Sequence, residues 1–348
     1  MTTTVSRPRL AMALGDPAGI GPELIARLLA DDSVRRQADI ILLADKDEAE
    51  HGMTIAGLRF PYTPVESVDN VDAIVFEPGV PVLYQMRGGV QGPFARAEST
   101  ADCGRYAMAT LEKGLRLIES GSVDAMVYAP VNKNSLHLAG MNHSDELHWL
   151  AELLGYTGPI GELNTLDGLW TSRATSHVPI SAVAGLITQE RVLDAVSLMY
   201  NVLRDSGLER PRVAVCGLNP HNGDNGDCGR EEIEVIAPAL EKAKAMGMPV
   251  DGPYPADTIF LKVFGDRREY DGVVTMYHDQ GQIAIKLMGF QRGVTMQGGL
   301  PVPAGTPAHG TAFDISQKGV ADVGAMLQAF NVVMRFATQR HAKRSGKA

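Results

Sequence analysis

Val213-Ala214-Val215-Cys216-Gly217-Leu218-Asn219-Pro220-His221-Asn222-Gly223 passes from an apolar, β-branched run into a polar, glycine-broken turn that carries a histidine. A short apolar run bounded by turn residues reads as a buried strand. The same form recurs where Gly272-Val273-Val274-Thr275-Met276 precedes Tyr277-His278-Asp279-Gln280-Gly281. It recurs near the amino end, where the run 10–14 stops at Gly15 and Gly21-Pro22-Glu23 opens a helical stretch at 24–29. Proline suits the first helical position, and glutamate suits the positive end of the helix dipole. Further strand signals lie at 40–44 and at 125–129, before Pro130; helical spacing marks 107–118, 192–203, 233–245 and 321–335. Strands alternating with helices predict an α/β fold with parallel sheets covered by helices.

At 348 residues the chain exceeds what one simple core serves, so two domains are expected. Seams near Pro130 and Pro301 place a first α/β domain at 1–131 plus 303–348 and a second at 132–302. The proline- and glycine-rich stretch 298–310 reads as a long loop, and long loops in compact enzymes are often functional. A net charge of −9 argues against a nucleic-acid partner, which needs a basic surface. The basic residues Arg335, Arg340, Lys343, Arg344 and Lys347 read as a solvated tail. No apolar run reaches the roughly 18–20 residues that span a bilayer, so no membrane partner is expected. The amino-terminal residues 1–8 lack the regions of a signal peptide, and the three cysteines form no C-x-x-C, which together predict a cytoplasmic protein without disulfides.

Three histidines stand out: His177 in Thr175-Ser176-His177-Val178-Pro179, His221 and His278. Histidine is the commonest ligand of zinc and similar divalent ions, and α/β folds bind ligands at the carboxyl ends of strands. Ligands this far apart need a tertiary fold to meet, which points to a catalytic metal site. His143-Ser144-Asp145-Glu146-Leu147-His148 lacks the i, i+4 histidine pair of a metalloprotease helix. Gly15-Asp16-Pro17-Ala18-Gly19-Ile20-Gly21 either cradles an anion on backbone N–H groups or makes a tight strand-to-helix turn. It is neither the Rossmann fingerprint nor a P-loop. Lys133 follows a strand, and Lys286 lies inside the apolar run 283–287, where it either snorkels to the surface or meets an anion. Asp257 either caps a helix or serves acid/base chemistry.

These motifs together resemble the 4-hydroxythreonine-4-phosphate dehydrogenase family, a branch of the isocitrate/isopropylmalate dehydrogenase-like fold. The likeness runs from Gly15-Asp16-Pro17-Ala18-Gly19-Ile20-Gly21-Pro22-Glu23 to His309-Gly310-Thr311-Ala312-Phe313-Asp314-Ile315. Asn219-Pro220-His221, Ala256-Asp257-Thr258 and Tyr277-His278-Asp279-Gln280-Gly281 are specific in combination. The resemblance implies two α/β/α domains with a cleft between them. It also implies one divalent metal (zinc, cobalt or magnesium) on His177, His221 and His278, and a homodimer whose interface carries the site, with histidines from both subunits. His143, Ser144 and Lys286 match substrate-binding positions. His309, Gly310, Thr311, Ala312 and Asp314 fall in a segment that looks like an adenosine-binding loop, which implies NAD or NADP without a Rossmann fingerprint.

Two positions depart from the family. Thr295 stands where an asparagine is common, and Ala304 where an arginine is common; both family residues contact substrate. Loss of a guanidinium fork would remove bidentate recognition of an anion. The expected activity is metal-dependent oxidation of a small acidic secondary alcohol by NAD or NADP, with decarboxylation. Asp257, Lys133 and Asp279 are candidates for base, proton relay or orientation of a ligand. Alternative substrates implied by relatives are threonate or erythronate 4-phosphate and the cis-dihydrodiol dicarboxylate of terephthalate breakdown.

Overall fold

The computed structural model describes residues 7–86, 92–265 and 268–346. Residues 1–6 and Lys347, both drawn on above, lie outside the described residues. The chain divides into two compact units, Met1–Thr157 with Leu300–Ala348, and Gly158–Gly299. The first crossing therefore falls later than the expected 131/132. Helices Lys133–Leu138 and Glu146–Leu153 belong to the first unit because Leu136, Trp149 and Leu150 pack into its core.

The first unit is built on strands in the order Thr63–Val65, Val82–Tyr84, Asp39–Leu43, Arg9–Ala13, Ala125–Tyr128, Ala304–Pro307. Every pairing among them is parallel. The inner strands are buried along nearly their whole length, which is why they read as continuous apolar runs rather than alternating ones. Helix Ala101–Glu119 begins before the expected 107 because Thr100 caps it, its hydroxyl accepting the Cys103 N–H at 3.2 Å. Leu111, Leu115 and Ile118, at helical spacing, pack with Ile41, Leu43 and Met126.

Two expectations are corrected in this unit. The stretch 298–310 is not one long loop: Ala304–Pro307 is a buried strand, with Ala304 opposite Met126 and Gly305 opposite Val127. Its Ala-Gly-Thr-Pro sequence carries little apolar signal, and burial comes from its neighbours. Arg335, Arg340, Lys343 and Arg344 do not form a tail but lie on helix Gly324–Arg344, where Arg335, Lys343 and Arg344 are exposed as expected. Arg344 reaches the buried Asp124 at 3.3 Å, and Arg340 donates to the Pro301 carbonyl at 2.8 Å.

The second unit orders its strands Val294–Gly298, Gly161–Leu166, Leu169–Arg173, Gly272–Thr275, Val213–Cys216, Val250–Tyr254. The last four pair in parallel. Gly161–Leu166 runs antiparallel to both of its neighbours, so the sheet is mixed rather than parallel throughout. The departure begins at Asp167-Gly168, whose φ values of 48° and 84° make the two-residue, left-handed turn of a tight hairpin. Helices Gln189–Asp205 and Ala237–Ala245 cover this unit, the latter preceded by a π-helical turn, Glu232–Ile236. Among the described residues no helix is long and apolar enough to cross a membrane.

Close helix packing in the first unit makes a test. Gly104 lets helix Ala101–Glu119 approach Lys133–Leu138 so tightly that a Cβ there would overlap the Ser135 carbonyl oxygen. Gly104→Ala is expected to destabilise the chain by about 1–3 kcal/mol through overpacking, read as a lower urea midpoint. An unchanged midpoint would show that the two helices can part at no cost.

Candidate functional site

In the second unit, the neighbouring strands Leu169–Arg173, Gly272–Thr275 and Val213–Cys216 run parallel, so their carboxyl ends emerge together. His177, His278 and His221 follow those three ends. The His177 and His278 rings lie 5.6 Å apart, centroid to centroid, tilted by 42°. Among the described residues, however, no three His, Cys, Asp or Glu side chains gather closely enough to share an ion. One chain thus brings together two of the three expected ligands, and His221 stands apart from that pair.

Backbone strain marks both outer loops. His177 sits at φ 51°, and His221, Asn222, Gly223, Asp224 and Asn225 all have positive φ. Left-handed backbone is costly for residues with a Cβ and persists only where the surroundings enforce it. Glu232 does so here. Its buried carboxylate accepts the Leu218 and Asn219 N–H groups at 2.7 and 2.8 Å and the Asn219 amide at 3.0 Å. Asn222 also donates to the Pro253 carbonyl at 2.9 Å.

The other expected residues of this unit divide clearly. Asp279 lies beside one of the expected ligands: its Oδ1 is 2.7 Å from His278 Nδ1. A carboxylate there fixes the tautomer and leaves Nε2 to face a metal. Asp257 is exposed within the short helix Ala256–Ile259, whose cap position is Pro255, so it is not the cap. Lys286 is exposed on helix His278–Gly289, between the exposed Ile283 and Leu287 and the buried Ile285. Thr295 Oγ1 accepts from Asn164 Nδ2 at 3.0 Å. Asn164 Oδ1 in turn accepts from Gln282 and, at 3.2 Å, from Arg173. Arg173 is paired with Glu162 at 2.7 Å and donates to Ser176 Oγ at 2.8 Å, next to His177. Arg173, Asn164 and Glu232 escaped the sequence reading. Asn164 and Arg173 sit in strands with no turn or motif signal, and Glu232 sits in the polar run Arg230-Glu231-Glu232-Ile233-Glu234, which looks like a solvated helix face.

In the first unit, strand order reverses direction at Arg9–Ala13, between Asp39–Leu43 and Ala125–Tyr128. Ligands of open α/β sheets bind outside the carboxyl ends at such a point. Three segments converge there. Asp16 N–H donates to the Pro130 carbonyl at 3.0 Å, Ile20 N–H to the Thr311 carbonyl at 3.0 Å, and Ser316 Oγ to the Ala18 carbonyl at 2.8 Å. Asp16 accepts the Ala18 N–H at 2.9 Å, and burial raises its carboxyl above the usual aspartate range. The turn therefore spends its Ile20 and Ala18 amides on the chain itself, with the buried acids Asp16 and Glu23 beside the helix start. That supports the tight turn over the anion cradle. Its purpose is close packing: a Cβ on Gly19 would lie 2.7 Å from both the Thr311 Cβ and carbonyl oxygen.

The expected cofactor loop is thus held by this turn. Thr311 is buried, Ala312 adopts φ 44°, His309 Nδ1 lies 3.0 Å from the Gly310 carbonyl, and Asp314 is exposed. Lys133 is exposed at the start of a helix that Asn132 caps. His143 Nε2 lies 2.5 Å from Glu152, and Ser144 donates to Asp145 at 3.0 Å. Ala304 is fully buried among core side chains, so it offers no face to a substrate, and a change there is one of packing.

Comparison with known proteins agrees with this architecture. The chain is 59% identical to "Putative 4-hydroxythreonine-4-phosphate dehydrogenase 2" of Pseudomonas aeruginosa, over 96% of this chain and 98% of that protein. It is 34% identical to the D-threonate 4-phosphate dehydrogenase of Cupriavidus necator, over 96% of this chain and 98% of that one. The crystal structure of 4-hydroxythreonine-4-phosphate dehydrogenase from Klebsiella pneumoniae superposes with a TM-score of 0.83 at 32% identity, covering 97% of this chain and 99% of that one. Residues 36–333 match the family model of the pyridoxal phosphate biosynthetic protein PdxA, and the chain belongs to that family.

Proposed function

We propose that the chain is a dehydrogenase that passes hydride from a small phosphorylated secondary alcohol to NAD or NADP, with one divalent metal held by His177, His221 and His278. The observation that carries this reading is the proximity of His177 and His278, whose ring centroids lie 5.6 Å apart, with Asp279 set against Nδ1 of His278. Histidine bonds to zinc are about 2.0–2.1 Å long, so a pair of rings at this separation suits two ligands of one ion. The donor chemistry fits; the third imidazole is assigned to a second subunit, which makes the active form a homodimer. Exposed apolar side chains of the second unit support self-association: Ile283 is 59% and Leu287 84% exposed, and they share one helix face at i, i+4.

A divalent ion supplies Lewis acidity, acidifying a hydroxyl and stabilising negative charge that develops on oxygen. The residues of this chain do the rest. Asp279 holds the His278 ring in the tautomer that presents Nε2. Lys286 meets an anionic group of the substrate. Asp257 accepts the hydroxyl proton as hydride leaves the carbon. Where a carboxylate lies β to the new carbonyl, carbon dioxide then departs. The Thr311–Asp314 loop, fixed by Gly19, carries the dinucleotide. The names of the Pseudomonas and Cupriavidus relatives favour a phosphorylated substrate over the dihydrodiol dicarboxylate, and with Ala304 buried the argument for a changed specificity loses half its ground.

Four outcomes test the reading. Zinc-loaded protein should reduce NAD or NADP with 4-hydroxythreonine 4-phosphate or D-threonate 4-phosphate. His221→Ala should lower turnover at least 1000-fold and reduce bound zinc by mass spectrometry; full activity in that variant would sink the ligand assignment. Gly19→Ala should weaken dinucleotide binding by about tenfold, about 1.4 kcal/mol, by calorimetry while leaving zinc uptake as it was. Ile283→Asp with Leu287→Asp should convert a dimer to a monomer by light scattering. A wild-type monomer with full activity would refute the shared site.

A further inference from the structure

The ladder between Gly272–Thr275 and Val213–Cys216 has its last register pair at Val274 and Val215. Beyond that point the strands lead to His278 and His221. One side chain spans the gap. Gln280 Oε1 accepts the Met276 N–H at 2.7 Å, and Gln280 Nε2 donates to the Gly217 carbonyl at 2.9 Å. On the other side, the Met276 carbonyl accepts both the Thr175 N–H at 3.0 Å and the Thr175 hydroxyl at 2.7 Å. Met276 is therefore a node. Its carbonyl ties it to the segment that leads to His177, and its amide, through Gln280, ties it to the segment that leads to His221.

We propose that Gln280 is a positioning residue that holds the His221 loop, which serves the ion of a second subunit, at a fixed offset from the His177–His278 pair, which serves this chain's own ion, so that both sites of the dimer can close. This rests on the ligand reading given above. The chemistry of the link is specific: one end must accept from an N–H and the other must donate to a C=O, which a primary amide does and a carboxylate cannot. Glutamine also has the reach to do both from the first turn of helix His278–Gly289. The Gly217 side is itself anchored, since Leu218 and Asn219 are bound by Glu232 and the Gly217 N–H donates to the Tyr254 carbonyl at 2.8 Å. Movement of Gln280 would therefore be felt at the His221 turn rather than absorbed before it.

Full-length wild type, Gln280→Met and Gln280→Glu are compared by zinc competition with a chromophoric chelator, thermal melting and amide hydrogen exchange. Gln280→Met removes both bonds at similar volume. It is expected to melt cooperatively, to exchange the Met276 amide faster, and to bind zinc 10–100-fold more weakly. Gln280→Glu keeps an acceptor for Met276 but cannot donate to Gly217, so it should protect the Met276 amide and still lose zinc affinity. If Gln280→Met fails to fold, Gln280→Glu carries the test. Wild-type zinc affinity in a folded variant overturns the proposal. Wild type that takes up no zinc refutes the ligand reading instead; exchange then decides, and unchanged protection at 218–222 in both variants overturns the brace.

Discussion

Parallel pairing of three neighbouring strands is the constraint from which the second unit's chemistry follows. Leu169–Arg173, Gly272–Thr275 and Val213–Cys216 must end on the same side, because their ladder bonds fix direction as well as spacing. Any residue placed a few positions past those ends is brought to one rim. The histidines exploit that, but the ladder does not extend to them. Past Val274 and Val215 the backbone must be held by side chains, and the strained turn at His221 shows what that holding opposes. Several non-glycine residues with positive φ in succession would relax in an isolated peptide. Here the buried Glu232 satisfies three donors around the start of the turn, and losing a partner of such a buried group costs about 1–3 kcal/mol or more when it is charged.

The first unit solves a different problem with less polar means. Its converging loops are joined mostly by backbone bonds, and glycines let them approach closely, Gly15 against Ala129 and Pro130 and Gly19 against Thr311. Gly19 has no side chain to move, so the Thr311 loop can sit against the turn with no gap. The buried Asp16 keeps its charge at a disadvantage, since burial outweighs the Ala18 N–H it accepts. A fully buried carboxyl in a turn of small residues is tolerated because it organises that turn, accepting an amide two residues on.

Much of this was legible from residue patterns, and the gaps have physical causes. Buried parallel strands announce themselves as apolar runs, so Arg9–Ala13, Asp39–Leu43, Ala125–Tyr128, Val213–Cys216 and Gly272–Thr275 were all readable to within a residue or two. Ala304–Pro307 was not, because a strand buried by its neighbours needs no apolar sequence of its own. The hairpin at Asp167-Gly168 carried a readable turn signal, but its flanking strands mix polar residues such as Asn164 and Arg173 into buried positions and mask the alternation. At the site, the histidines stood out because a strand-to-glycine break is local. Glu232, Arg173 and Asn164 did not, since a buried charge is recognisable only by partners distant in sequence.

Those partners also explain why position 295 cannot be weighed alone. Thr295 is the far end of a chain of hydrogen bonds through Asn164 and Arg173 to Ser176, beside His177. Arg173 is nearly buried, so the network lies where bonds polarise one another and an unpaired group is costly. An asparagine at 295 would bring a second amide to Asn164, whose oxygen already serves Arg173 and Gln282. Asparagine could keep the bond only by turning its own Oδ1 to Asn164 Nδ2; in the opposite orientation its amide would compete with Arg173 for the Asn164 oxygen. Position 295 and the loop of His177 are therefore coupled through shared partners, and changes at the two are not additive. A threonine, with one hydroxyl that accepts from Asn164, leaves the Arg173 clamp undisturbed without that choice of orientation. Its presence is as well explained by the position of His177 as by the shape of the substrate.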